Sequence, residues 1–418
     1  MDKFSDIIIE IGKKAEIDLK EQFDRVNDIC QKNSLKVLNA FRENRVSYDI
    51  FQEINGYGLF DYSRDKMERV FADVFKAEDA LVRPHIMSAT NAIYITLSAL
   101  LKHGDTMLNI TGELYDTIKS AVGVFGDSSQ SIIANGIKYE EIDLIDRRYF
   151  DVKKIKSRLS KKNVKLVYIQ RSRGYAHREG ISIEQVEEIC KIVKGINKDI
   201  IVMVDNCYCE MVSEKEPIEV GADILVGSLM HNLGAGIASS GGYVVGKEKL
   251  VNMVAERLTA PGLGKALGAN YNQTIKFLKG LYLSPMVVAN AVKTAIFASY
   301  MFEKMGYKNV SPKSDEVRSD IVQTVDMLSR EDMILFCKGI QKYSPIDGQY
   351  APEPCEVPGY PHEEIMASGS FTSGSTIEFS CDGPLVEPYT LFLQGSLTYE
   401  YGKIAIIGAL NEMMQNKK

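Results

Sequence analysis

Four short segments hold side chains whose types and spacing could do chemistry. Ser88-Ala89-Thr90-Asn91 opens the apolar stretch NAIYITLSALL. Small residues at a helix start leave backbone N–H groups free, and the helix dipole favours an anion there, so Ala89 and Thr90 could receive a phosphate. A plain N-cap by Ser88 or Thr90 explains the same residues. Val204-Asp205-Asn206 ends a very apolar run with a carboxylate, which, once buried, needs a cationic or donor partner; capping of the next helix is the alternative. Gly227-Ser228-Leu229-Met230-His231-Asn232 sets Ser228 and His231 ahead of a Gly- and Ser-rich tail, Gly234 to Gly242, suited to tight turns. Imidazole moves protons near neutral pH, although a lone loop histidine is ordinarily only a polar residue. Tyr62-Ser63-Arg64, beside Gly56-Tyr57-Gly58, could bind phosphate oxygens through charge-assisted hydrogen bonds or could be a surface ion pair.

The elements that would position these residues alternate. MLNI (107–110), VKLVYIQ (164–170), IIVMVDN (200–206), ADILVGS (222–228) and GGYVVG (241–246) are short β-branched runs that read as buried strands. A helix begins at Ser182, where Ser182 and Gln185 can form a capping box and Val186, Ile189, Cys190 and Val193 share one face. Strands alternating with helices predict an α/β fold with a mostly parallel sheet covered on both faces. GGYVVG follows its predecessor too closely for a crossover and is a candidate antiparallel strand. In such sheets the ligand lies beyond the carboxyl ends of the strands, and the four segments would meet there. Residues 1–47 read as a polar helical segment and 48–283 as the large domain. The span 284–418 reads as an interdomain helix followed by a smaller α+β domain, with SGSFTS and STIEFS as strands and KIAIIGALNEMM as the last helix.

Composition narrows the function classes. The chain has 418 residues, 45% of them apolar, and a formal charge of −6, so no basic stripe invites nucleic acid. No apolar run approaches the ~18 residues of a membrane span. The start, MDKFSDIIIEIGKK, carries acids early and does not read as a secretory signal. Seven scattered cysteines suit reduced, buried thiols, and a cytoplasmic protein is expected. Cys207 and Cys209, read as a C-x-C on a strand, lack a second ligand pair at metal spacing, so no metal is expected.

The order of an anchoring turn near 88, an aromatic at Tyr115, Asp205 and a Ser-x-x-X loop at 228–231 resembles fold type I pyridoxal-phosphate (PLP) enzymes. The longer strings GYG (56–58), AEDALVRP (77–84), LYDT (114–117), QRSRGY (170–175), VDNCY (204–208), RLTAPGLGK (257–265), PGY (358–360) and LTYEYGK (397–403) resemble the methionine gamma-lyase-like, aluminium-resistance branch, related to cystathionine lyases. The resemblance implies a fold type I PLP-transferase-like architecture. It implies that Ala89, Thr90 and Ser228 hold the phosphate, that Tyr115 stacks on the ring, and that Asp205 pairs with the ring nitrogen, with Cys207 beside it. Tyr62 and Arg64 would reach the phosphate of a neighbouring subunit, implying a homodimer or homotetramer. Arg171, Arg173 and Arg257 would bind the carboxylate of an amino-acid substrate, and Tyr57 would join His231 among the catalytic groups.

The resemblance breaks at His231, where the family keeps the lysine that bonds covalently to PLP and moves the Cα proton. Imidazole can do the second task and not the first. Neighbours change with it: Ala89-Thr90-Asn91 stands for Gly-Thr-His, Cys209 for Gly and Leu233 for Pro. Three readings follow. One is a carbon–sulfur lyase-like enzyme holding PLP or pyridoxamine phosphate non-covalently, with His231 as acid/base. Another is a catalytically inactive paralogue acting as a structural or regulatory subunit, for example beside an active one. The last is a conventional lyase using another lysine, Lys247 or Lys265.

Overall fold

Local chemistry sets the element boundaries. The computed structural model describes residues 4–52, 56–57, 61–357, 360 and 362–416; Gly58 of GYG and Pro358-Gly359 of PGY lie outside the described residues. Two amphipathic helices, α1 (Asp6–Asp18) and α2 (Lys20–Glu43), lead the chain and bury Ile8, Ala15, Val37 and Ala40. Helix α3 (Tyr62–Val74) starts where the Asp61 carboxylate accepts from the Arg64 N–H at 3.0 Å.

The alternation then runs β1 (Asp79–Arg83), α4 (Ala89–Leu100), β2 (Thr106–Asn109), α5 (Asp116–Val122), β3 (Lys138–Glu141), α6 (Val152–Leu159), β4 (Val164–Gln170), α7 (Ile183–Ile196), β5 (Ile201–Asp205), β6 (Ile224–Ser228), β7 (Gly242–Gly246) and α8 (Glu248–Leu258). The sheet order is β1-β7-β6-β5-β4-β2-β3. Strands β2 to β6 pair in parallel, while β7 runs antiparallel to both β1 and β6, as its short connection requires. Along β5, Val202 and Val204 enter the core under α7, while Ile201 and Met203 enter the core under α4 and α8. A strand buried on both faces must be apolar throughout, which is why the run shows no alternation. The Ser182–Gln185 capping box forms as expected.

Helix α9 (Thr274–Lys304) begins before Ser284, with Pro285 inside it. Proline interrupts a helical pattern in sequence, but flanking turns can carry the helix through. The helix is long and apolar enough to cross a membrane, yet 72% of that window is buried inside the fold, as suits a core helix. It presses on the loop after β6: a Cβ on Gly280 would lie 2.7 Å from the Gly234 carbonyl oxygen. The rest holds β8 (Val310–Ser311), β9 (Val322–Asp326), α10 (Arg330–Lys342), β10 (Cys355–Glu356), β11 (Glu363–Ser368), β12 (Ser380–Pro384), β13 (Thr390–Gln394) and α11 (Tyr399–Asn416). Its strands form a second, antiparallel sheet, β10-β11-β12-β13-β9-β8.

Two expectations need correction. SGSFTS and STIEFS are mostly turns between β11 and β12, with only Ser368 and Ser380 in strands. Gly374, at φ +82°, breaks the extended path. Cys207 and Cys209 lie in the turn after β5, not on a strand, so the strand geometry that would align their thiols does not apply.

Candidate active site

At the carboxyl ends of the parallel strands, between the two sheets, lies a cavity of about 310 Å³. Ala89 and Thr90 line it from the start of α4, where Ser88 Oγ accepts from the Asn91 N–H at 3.1 Å. The N-cap alternative is thus realised, and it leaves the first-turn amides of α4 available. The cap serves one amide, and those of Ala89 and Thr90, in the first turn, have no carbonyl four residues back. The Thr90 hydroxyl bonds that of Thr117 at 2.7 Å.

Asp205 lines the same cavity from the end of β5. Its Oδ1 accepts from the Cys207 N–H at 3.1 Å and its Oδ2 from the Tyr168 hydroxyl at 3.3 Å. Burial pushes its carboxyl above the usual range, and these neutral donors only partly offset the effect. Behind it, Glu210 is buried and pushed up to about 8, chiefly by desolvation. Glu210 accepts from the Tyr243 hydroxyl at 2.7 Å, and its second oxygen has no partner.

His231 lines the cavity just before the short helical turn Asn232–Gly234. Its Nδ1 lies 2.8 Å from Thr376 Oγ1, and its ring sits 4.8 Å from that of Tyr208. Burial lowers its pKa to about 4, so the ring is neutral at neutral pH. Tyr115 lines the cavity at the start of α5, positioned by its N–H donating to Gln170 at 3.0 Å. Its ring meets Tyr175 and Tyr360 edge-on, with centroids 5.7 and 6.2 Å away. Cys207 lines the cavity with its thiol pushed well up by burial.

The structure therefore brings Ala89, Thr90, Tyr115, Asp205, Cys207 and His231 together. Ser228 lies behind the lining, 1% exposed, its hydroxyl accepting from the Met230 N–H at 3.0 Å. The proposed carboxylate ligands are elsewhere. Arg171 is buried and gives its guanidinium to Asn206 at 2.6 Å and to the Ile181 carbonyl. Arg173 bonds Ser311 and Thr324, tying the loop after β4 to the second sheet. Arg257 is exposed in the last turn of α8. None of the three is among the described residues lining the cavity: Arg171 and Arg173 make internal contacts, each with one buried guanidinium nitrogen lacking a hydrogen-bond partner, and Arg257 lies at the surface. Arg64 is turned inward as well: it is 1% exposed and contacts Asp65 and the carbonyls of Gly56 and Ala266, within its own subunit. Tyr62 is exposed, its ring beneath the Lys66 ammonium, and Tyr57 bridges to Leu267; neither lines the cavity.

Sequence reasoning missed Tyr175, Tyr208, Thr376, Asp382 and Gln394, which also line it. Tyr175 and Tyr208 stand inside the strings QRSRGY and VDNCY. The other three come from the second sheet and the turns before it, where no local signal marks them.

Both alternative lysines are engaged elsewhere. Lys265 pairs with Asp79 at 2.6 Å and Glu68 at 3.3 Å, and Lys247 with Asp223 at 2.6 Å at the opposite ends of the strands. No lysine or arginine is among the described residues lining the cavity.

The comparisons agree with this geometry. The family model for methionine gamma-lyase matches residues 8–414. The YnbB protein of Bacillus subtilis is 40% identical over 413 residues, covering 99% of this chain and 98% of its own length. A carbon-sulfur lyase involved in aluminum resistance from Clostridium novyi NT is 41% identical, with a TM-score of 0.93 over 98% of this chain and 96% of that one. A candidate cystathionine beta-lyase involved in aluminum resistance from Listeria monocytogenes is also 41% identical, with a TM-score of 0.94 over 97% and 99%. With the mostly parallel sheet, the second antiparallel sheet and the cavity between them, the chain belongs to the methionine gamma-lyase family and has the fold of type I PLP enzymes.

Proposed function

We propose that this cavity holds PLP or pyridoxamine phosphate without a covalent bond and carries out amino-acid elimination of the carbon–sulfur lyase class. One observation carries the reading: the open start of α4, the buried Asp205 and the neutral ring of His231 all face one cavity, and no lysine is among the described residues that line it. The residues fit the cofactor's phosphate and ring. Ala89 and Thr90 would receive the phosphate, with Ser228 behind them, and Tyr115 would pack against the ring. Asp205 has only neutral donors in reach, and a protonated ring nitrogen is the cation that its burial calls for. When bound, the group would supply an electron sink for charge that develops on the substrate carbon.

What this chain adds is proton handling. A tautomer with hydrogen on Nδ1, donated to Thr376, leaves the Nε2 lone pair free. With a pKa of about 4, the ring is a base rather than an acid at neutral pH. The relatives' lyase names and the family support an amino-acid substrate. A homodimer or homotetramer in the cytoplasm completes the reading, in which Tyr62, exposed in this chain, would meet a neighbour.

The test is an absorbance spectrum of protein mixed with PLP, before and after borohydride, followed by peptide mapping. Bound cofactor without a pyridoxyl–lysine adduct is expected. The variant His231→Lys should gain an adduct at that position. An adduct on Lys265 in the unmodified protein would instead restore the conventional lyase, and no bound cofactor at all would favour an inactive paralogue.

A further inference from the structure

The wall facing the α4 side of the cavity comes from the second sheet and its turns, and its chemistry is one-sided. Asp382, on β12, lines the cavity and is 4% exposed. It accepts from the Tyr175 hydroxyl at 2.9 Å and, at 3.5 Å, from the Gln394 amide. Both donors are neutral. Tyr175, from the loop after β4, and Tyr360 line the cavity beside Asp382, their ring centroids 5.8 Å apart, and Phe392 packs 4.8 Å from Tyr175. Glu364, on β11, stands behind them, 1% exposed, with one carboxylate oxygen buried and unpartnered. Aromatic faces attract cations through their quadrupole, most strongly where water is excluded. A buried carboxylate without a cation carries an unrelieved desolvation cost, and a second carboxylate brought beside it adds repulsion.

We propose that Asp382, with the rings of Tyr175 and Tyr360, forms a cation subsite that selects a substrate whose far end carries an ammonium group and rejects one ending in a carboxylate. The inference rests on the reading of this cavity as the substrate site. It narrows the substrate class to amino acids whose side chain ends in a basic group beyond the bond to be broken, bound with the reacting end towards His231 and the basic end against the second sheet. The absence of any lysine or arginine among the described lining residues fits the same selection.

The probes are putrescine, γ-aminobutyrate and butylamine. They share a four-carbon chain bearing one amine and differ at the far end, which is cationic, anionic or apolar. Their binding is measured by calorimetry on the full-length protein, as isolated and after saturation with pyridoxamine phosphate, whose own binding is followed by its absorbance. Putrescine should bind at least about tenfold more tightly than γ-aminobutyrate, with butylamine between them. Asp382→Asn should erase that order while leaving the cofactor's absorbance change intact, and Tyr175→Phe, which keeps the charge, should preserve it. Equal or tighter binding of γ-aminobutyrate, or no measurable binding of putrescine, overturns the subsite. If Asp382→Asn fails to fold, the ligand comparison on unmodified protein saturated with pyridoxamine phosphate, which would occupy Asp205, decides the matter. Loss of cofactor binding with the putrescine preference retained would sink the cofactor reading alone.

Discussion

Two regions of the molecule bury carboxylates, and they treat them in opposite ways. Beneath β1, Glu68 is 1% exposed and lies 2.8 Å from the Arg83 guanidinium and 3.3 Å from the Lys265 ammonium. It also accepts from the Val82 N–H at 3.0 Å. Burial alone would raise its pKa, but the two cations outweigh burial and the net shift is downward. At the cavity, Asp205, Glu210 and Asp382 are equally buried, bonded by neutral donors, and all shifted upward, Asp382 to about 6. A fold that needs a buried acid only for its architecture supplies the countercharge from its own chain. Acids left without one mark the place where the countercharge must come from outside or where a proton must be kept.

The comparison breaks first at Glu68. Glu68→Gln leaves Arg83 buried without a charged partner and frees Lys265 to face Asp79 alone. Removing one member of a buried ion pair costs about 3–5 kcal/mol. Denaturant unfolding should show a loss of that order, with cofactor affinity unchanged in whatever protein remains folded. A loss below ~1 kcal/mol would mean that the cluster is not structural in the sense argued.

Asp205→Asn should behave the other way. The substitution removes a charge that the folded chain itself leaves uncompensated, so stability should hold or rise slightly. Affinity for pyridoxamine phosphate should fall, because a buried charged hydrogen bond is worth about 2–5 kcal/mol to the complex. A fluorescence titration that finds less than about a tenfold change would detach Asp205 from the cofactor and leave its burial without a ligand to explain it.

The first sheet was legible because its central strands are buried on both faces. VKLVYIQ, IIVMVDN and ADILVGS are mostly apolar runs; the first two strands end in Gln170 and Asp205, which line the cavity, and the third in Ser228, just behind the lining. Asp205 and His231 follow from the ends of β5 and β6, and Ala89 and Thr90 from the helix start after β1. The second sheet hid its contribution. Its strands are short, SCDGP contains glycine and proline, and the turn that brings Thr376 to His231 resembles a strand in residue type. The placement of the arginines was hidden for a related reason. Guanidinium groups suit carboxylates wherever they are exposed to them, but Arg171 and Arg173 are buried and bonded between loops whose approach only the tertiary structure reveals.

The smallest expected effect is on pH dependence, where His231 and Glu210 oppose each other. Folded His231 titrates at about 4, against ~6.5 when unfolded. Between those values the unfolded chain binds the extra proton. The stability tied to the neutral ring is thus fully present above ~6.5 and lost as pH falls towards about 4. Glu210 is protonated in the fold up to about 8. Its contribution is complete below ~4.3, the unfolded value, and is lost as pH rises through about 8. His231→Gln should therefore flatten the acid limb of the stability profile by about 1–3 kcal/mol, the ring's partial exposure setting the lower end. Glu210→Gln should flatten the alkaline limb and keep the acid one. Thermal melts of the two variants across pH 4 to 9 separate the effects. Two parallel profiles would mean that neither group titrates in the unpaired state that distinguishes the cavity from the Glu68 cluster.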